Sequence, residues 1–183
     1  QVLLATLTLP RRPDEPEKEY IDRIISDSKE QGRSAADAGT EIHTAVQGFY
    51  EGTVVDKHQA HVKGCVEKIR TTFGEHGWVS ERSFCHDLGF GGKLDLHTEG
   101  FVLDVKSKEF GPDDSIAAYD EHLMQLAAYR VGIGQPEARC ANVFVSRTHP
   151  GLTVVLEWEK EDLDRGWGMF CDLLSFWTLK NKF

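Results

Sequence analysis

Asp104-Val105-Lys106 stands at the end of the apolar run Phe101-Val102-Leu103. A strand alternates its side chains, so Asp104 and Lys106 share one face and Val105 takes the other. A carboxylate and an ammonium at the end of a buried strand are costly to desolvate and need a partner or a chemical task. Taken alone, the triplet reads first as an edge-strand ion pair. Upstream, Asp95 sits in Gly92-Lys93-Leu94-Asp95-Leu96-His97. Alternation would put Lys93, Asp95 and His97 on one face and send Leu94 and Leu96 into the core. A tight turn at Thr98-Glu99-Gly100 would then set Asp95 and Asp104 side by side on neighbouring strands. Two adjacent carboxylates raise each other's proton affinity unless a cation intervenes. Oxygen ligands that leave coordination positions open suit Mg²⁺.

Further polar residues fall where they could join this pair. His43 lies in Gly39-Thr40-Glu41-Ile42-His43, at the border of a helix face marked by Ile42, Ala45 and Phe49. It is either a satisfied structural histidine or an imidazole ligand, and Mn²⁺ tolerates a mixed nitrogen and oxygen set better than Mg²⁺ does. Gln125 and Tyr129, four apart, share a helix face with His122, while Tyr119, Leu123, Leu126 and Ala127 take the core side. Gln125 and Tyr129 are either an amphipathic boundary or groups that orient Lys106 and hold a strand of nucleic acid. An unrelated zinc site could use His58, His61 and Cys65 at helical spacing, although no complementary ligand pair lies nearby.

These residues need a scaffold to position them. Residues 10–18, rich in proline and charge, read as a surface loop. A helix is expected from Glu19 to Gln31, stopping before Gly32, and Ser34-x-x-Asp37 resembles a capping box opening a second helix to Tyr50. Val62, Val66, Ile69 and Phe73 repeat at helical spacing. Three strands follow, Trp78 to His86, Gly92 to His97 and Phe101 to Ser107, with turns at 89–92 and 98–100. Ser115 would cap a helix from Ile116 to Val131. Strands Asn142–Ser146 and Leu152–Trp158 flank a turn at 148–151. Leu163, Trp167, Phe170, Leu174 and Trp177 form the stripe of a last helix. The order implies one α/β domain with a mixed sheet flanked by helices.

Bulk properties narrow the class. The 183 residues are 40% hydrophobic and 28% charged, an ordinary globular composition without a membrane-spanning run. Val2 to Leu7 is apolar but short, with no basic segment before it, and reads as structure and not as a signal peptide. Cys65, Cys85, Cys140 and Cys171 are scattered, which suits reduced thiols in a cytoplasmic setting and argues against an iron–sulfur or zinc site. The net charge of -9 counts against a nucleic-acid partner, though it says nothing of local patches.

Taken together, Gly39-Thr40-x-x-His43, Gly92-Lys93-Leu94-Asp95, Asp104-Val105-Lys106 and Gln125-Leu126-Ala127-Ala128-Tyr129 resemble the RecB-like branch of the PD-(D/E)XK nucleases, over residues 35–146. The pattern is similar to that of the mitochondrial genome maintenance exonuclease and related phage exonucleases. The resemblance implies a single nuclease domain over residues 1–183: an N-terminal helical wall at 1–34, the catalytic core at 35–146 and a C-terminal strand and helix at 147–183. It implies that His43, Asp95, Asp104 and the main-chain carbonyl of Val105 bind one or two Mg²⁺ or Mn²⁺ ions. Lys106 would act on the attacking water or clamp the phosphate, Gln125 and Tyr129 would support the site, and Glu81 would be an auxiliary acid. Lys108, Tyr50 and Phe110 are weaker candidates for contacts to DNA. The implied activity is exonucleolytic hydrolysis of DNA from free single-stranded ends, with an endonuclease or an inactive scaffold as alternatives. No four-cysteine cluster or helicase segment accompanies the core, so the nuclease would be freestanding or recruited by a replication or recombination protein. A bacterial or phage-infected cytoplasm is the expected setting, with an organelle left open.

Overall fold

A computed structural model of the chain describes residues 11–13, 15–53 and 56–182. The elements run α1 (Glu17–Tyr50), α2 (Gln59–Phe73), β1 (Val79–His86), β2 (Phe90–Thr98), β3 (Phe101–Lys108), α3 (Asp120–Gly132), β4 (Arg139–Ser146), β5 (Thr153–Trp158) and α4 (Lys160–Asn181). The run Val2 to Leu7 lies outside the described residues. Two compact units divide between Glu41 and Ile42. In the first, Glu15 accepts hydrogen bonds from the Arg23 guanidinium and the Arg12 amide, which pull its carboxyl down to about 2.

The second unit carries an α/β architecture: a five-stranded mixed sheet in sequential order, flanked by helices. β1, β2 and β3 form an antiparallel meander, β3 and β4 run parallel with α3 as the crossover, and β5 returns antiparallel to β4. Two cores lie against the sheet. Ile42, Val46, Cys65 and Ile69 of α1 and α2 pack on Leu96, Leu103, Val105 and Val143. Leu123, Leu126 and Leu163 of α3 and α4 pack on Leu94, Val102 and Cys140. Both faces of β3 and β4 are therefore covered, which is why these strands read as unbroken apolar runs.

Several expected boundaries shift. The two helices expected over 19–31 and 34–50 are one, because a single glycine costs a helix only about 1 kcal/mol, too little to stop one of this length. Gly91 and Gly92 lie inside β2 and not in the turn, which ends at Gly89 with φ +83°. The helix expected from Ile116 begins at Asp120; Ser115 does not cap it, and the Tyr119 amide donates instead to His122 Nδ1 at 3.3 Å. Tyr119 is exposed, not a core residue. The stripe of the last helix buries Leu163 but leaves Trp177 about half exposed. Among the described residues no helix is long and apolar enough to cross a membrane.

Helix α2 carries one testable contact. Gly64 lies so close to the turn after β4 that a Cβ there would stand 2.2 Å from the Gly151 carbonyl oxygen. Helix propensity alone favours alanine at this site by about 1 kcal/mol. Against a backbone atom the clash wins, so Gly64→Ala destabilises the fold by about 1–3 kcal/mol, read as a lower midpoint in urea unfolding.

Candidate metal centre

The site forms where the meander breaks its own alternation. The β1–β2 ladder pairs Ser80 with Leu96 and Arg82 with Leu94 but skips Glu81 and Asp95, which stand opposite each other between those pairs. Glu81 has φ +58°, left-handed backbone that is rare for a non-glycine residue. Across this point the faces invert: Leu96 belongs to the α1/α2 core and Leu94 to the α3/α4 core. The expectation that Leu94 and Leu96 share one core is thus corrected. His97 also parts from Asp95, since it lies opposite Val102 of the α3/α4 core. Strict alternation fails at the point where Glu81 and Asp95 drop out of the ladder.

The same break separates β2 from β3. Their last paired residues are Leu96 and Leu103, and beyond them the strands part. The Val105 N–H, which a longer ladder would have satisfied, donates to Asp95 Oδ2 at 2.6 Å. Asp95 therefore closes the top of the gap with its side chain. Its other oxygen, Oδ1, meets His43 Nε2 at 2.8 Å, and His43 Nδ1 faces Glu81 Oε1 at 3.8 Å. His43, Glu81 and Asp95 each offer a ligand atom, and these atoms lie within 4.8 Å of one another. Lys93 ion-pairs with Glu81 from its exposed stem.

A second set of groups reaches the gap from the α3 side. Val105 packs in the α1/α2 core, so alternation turns Asp104 and Lys106 toward α3 as expected. Lys106 Nζ donates to Asp104 Oδ1 and to Gln125 Oε1, both at 3.0 Å. Gln125 Nε2 donates to the Tyr129 hydroxyl at 2.8 Å. A lysine can only donate, so it turns the Gln125 carbonyl inward and the amide toward Tyr129. Gly92 makes room for this chain, since a Cβ there would lie 2.6 Å from Tyr129 Cε1.

The electrostatics follow from this crowding. The hydrogen bond that His43 donates to Asp95 raises the His43 pKa above its ordinary value, with burial opposing it. Burial, and then the Asp95 charge, push the Asp104 carboxyl up, while Lys106 and Asn142 pull it back. Burial raises the Tyr129 phenol, which stays neutral.

The structure brings His43, Glu81, Asp95, Asp104, Lys106, Gln125 and Tyr129 to one gap. The ligand-like triad is His43, Glu81 and Asp95, however, with Asp104 turned to Lys106 and Asn142. Val105 meets Asp95 through its amide. Phe110 is buried and is corrected from a base-stacking candidate to a core residue, and Lys108 lies over the Tyr119 ring. Tyr50 lines a cleft with Phe49, Arg70, His76 and Trp78. Among the described residues, His58, His61 and Cys65 do not form a metal group; Cys65 is enclosed in the core, where burial pushes its thiol up to about 12. The sequence reading missed Asn142 and Trp158, although an asparagine inside Cys140-Ala141-Asn142-Val143-Phe144-Val145 was the visible signal.

The triad's donors, two carboxylates and one imidazole, fit a divalent cation of the Mg²⁺ or Mn²⁺ kind. Binding requires neutral His43. Because burial is outweighed and its pKa is raised above the ordinary 6.5, cation affinity climbs as pH rises through the raised pKa and levels off beyond it. Titration calorimetry with Mn²⁺ near pH 6.5, in buffers of different ionisation heat, should register release of a proton. Buffer-independent heats would contradict this picture.

No family model matches this chain, and no curated protein is significantly similar to it.

Proposed function

We propose that the chain is a divalent-metal-dependent deoxyribonuclease of the PD-(D/E)XK type, hydrolysing phosphodiester bonds from free ends of single-stranded DNA. The observation that carries the reading is the gap between β2 and β3. There Asp95, tied to His43 and to the Val105 amide, lies beside the chain Asp104, Lys106, Gln125 and Tyr129.

His43, Glu81 and Asp95 would hold the cation, with Asp104 as a further oxygen ligand from the neighbouring strand. A divalent ion there supplies electrostatic stabilisation to a phosphate and acidifies water. Lys106 spends two of its three protons on Asp104 and Gln125, which leaves one for a phosphate oxygen or the attacking water. Both of its partners accept, so this arrangement favours a charged clamp. Gln125 and Tyr129 fix the direction of that third proton by fixing the ammonium. Asp95 and Asp104 repel bare phosphate, which makes strand binding depend on the cation and fits a chain whose net charge is -9.

Strands labelled at the 5′ or 3′ end, single or double, are incubated with Mg²⁺, Mn²⁺ or EDTA. Linear single strands should be degraded with either metal and untouched in EDTA, and a covalently closed single-stranded circle should survive. Metal-dependent cutting of the circle would make the enzyme an endonuclease. Absence of cleavage from every substrate would overturn the assignment.

A further inference from the structure

Asp104 is almost fully enclosed, at 1% exposure, and so is Asn142, at 0%. They are register partners on the parallel strands β3 and β4. Cross-strand partners point to the same face, so both side chains look toward α3. Asn142 Nδ2 donates to Asp104 Oδ2 at 2.9 Å. From the next strand, Trp158 Nε1 donates to Asn142 Oδ1 at 2.8 Å.

The chemistry of these groups gives the chain a direction. An indole N–H is only a donor, so the asparagine must offer it the carbonyl. The amide nitrogen is then forced toward Asp104. A flipped amide would set two donors against each other at Trp158 and two acceptors against each other at Asp104. With both groups buried, that flip is costly. The carboxylate is in turn the group that Lys106 Nζ contacts at 3.0 Å.

We propose that Asn142 is a positioning residue for the site, and that Trp158 acts through it, from the far strand of the sheet, to hold the Asp104 carboxylate against Lys106. The inference rests on the nuclease reading only for what Asp104 and Lys106 do; the positioning itself is a matter of hydrogen bonds. Trp158 also closes β5, two residues before α4 begins, and its ring packs against the α3/α4 core. The outer strand thus has a stake in the site that no substrate contact requires.

Asn142→Leu removes the donor, keeps the branched heavy-atom shape and adds no charge. Trp158→Phe keeps a ring against the core and removes only the orienting N–H. Outer partners of metal sites commonly account for about ten- to a hundredfold in affinity or activity. Asn142→Leu is expected to weaken Mn²⁺ binding, read as free-ion signal by electron paramagnetic resonance, and to lower kcat on single-stranded DNA by that range, with KM for DNA little changed. Trp158→Phe should show a smaller loss of the same kind. The double variant should lose no more than Asn142→Leu alone, because Trp158 acts only through Asn142. Independent, multiplying losses would overturn the relay from Trp158. Unchanged Mn²⁺ binding and kcat in a folded Asn142→Leu protein would overturn the positioning role. If wild-type protein binds Mn²⁺ but cuts no DNA, the nuclease reading fails while the binding arm still tests the relay.

Discussion

If the proposed nuclease reading holds, Lys106→Ala should leave the protein folded and able to bind Mn²⁺ but lower turnover of single-stranded DNA by about a hundred- to a thousandfold, the range for removing one positioned donor to developing charge. Asp104 and Gln125 hold the ammonium, and the side chain is about one-third exposed, so little packing is lost. What is lost is the cation between a buried carboxylate and the place a phosphate would take. Lys106→Arg is not a conservative test, since a planar guanidinium cannot reproduce the two contacts of a compact ammonium. Gln125→Ala should fall between wild type and Lys106→Ala, because the lysine keeps Asp104 while losing its second anchor. Single-turnover cleavage with saturating Mn²⁺ measures all three. A Lys106→Ala protein that cuts at the wild-type rate would remove this residue from the chemistry.

The second large effect belongs to Asp95, which does two separable things. Asp95→Asn keeps an oxygen for the Val105 amide but loses the charge that faces His43. Mn²⁺ affinity should drop by more than about a hundredfold, beyond the effect typical of outer partners, and cleavage should vanish with it. Asp95→Leu adds a structural loss, since the Val105 N–H is then left in the gap without a partner, at a cost of about 1–3 kcal/mol. Unfolding midpoints in EDTA separate the two variants. The stability that Asp95 gives through His43 has a definite pH sign. The folded imidazole has its pKa raised above 6.5, so this stabilisation is complete below 6.5 and fades as pH rises through the folded value. In EDTA the difference between wild type and Asp95→Asn is therefore largest in mild acid and shrinks in base. Equal differences at all pH values would show that His43 and Asp95 are not coupled.

Much of this was legible from residue order alone. The apolar run before Asp104 marks a strand covered on both faces, and the alternation of Asp104, Val105 and Lys106 holds in the structure because β3 is regular there. The spacing of Gln125 and Tyr129 put them on one helix face, and they are hydrogen-bonded to each other. These features are local: a period of two or of 3.6 residues determines which side chains share a face, whatever the rest of the chain does.

Tertiary structure decided where local periodicity stops. Alternation along β2 predicts one face for Leu94 and Leu96, and the break in the ladder at Glu81 and Asp95 falls where they divide between two cores. That break moves Glu81 from an auxiliary acid into the triad with His43 and Asp95. Gly64 illustrates the same limit, since a helix alone would welcome alanine and the approach of Gly151 forbids it. Asn142 and Trp158 join the site through strand pairing between residues 38 and 16 positions apart from their partners. Residue types and short spacings thus determined the elements and the chemical inventory of the site. Which acids meet, and which buried amide holds them, came from contacts between distant segments, because desolvation and hydrogen-bond direction act only once those segments have packed together.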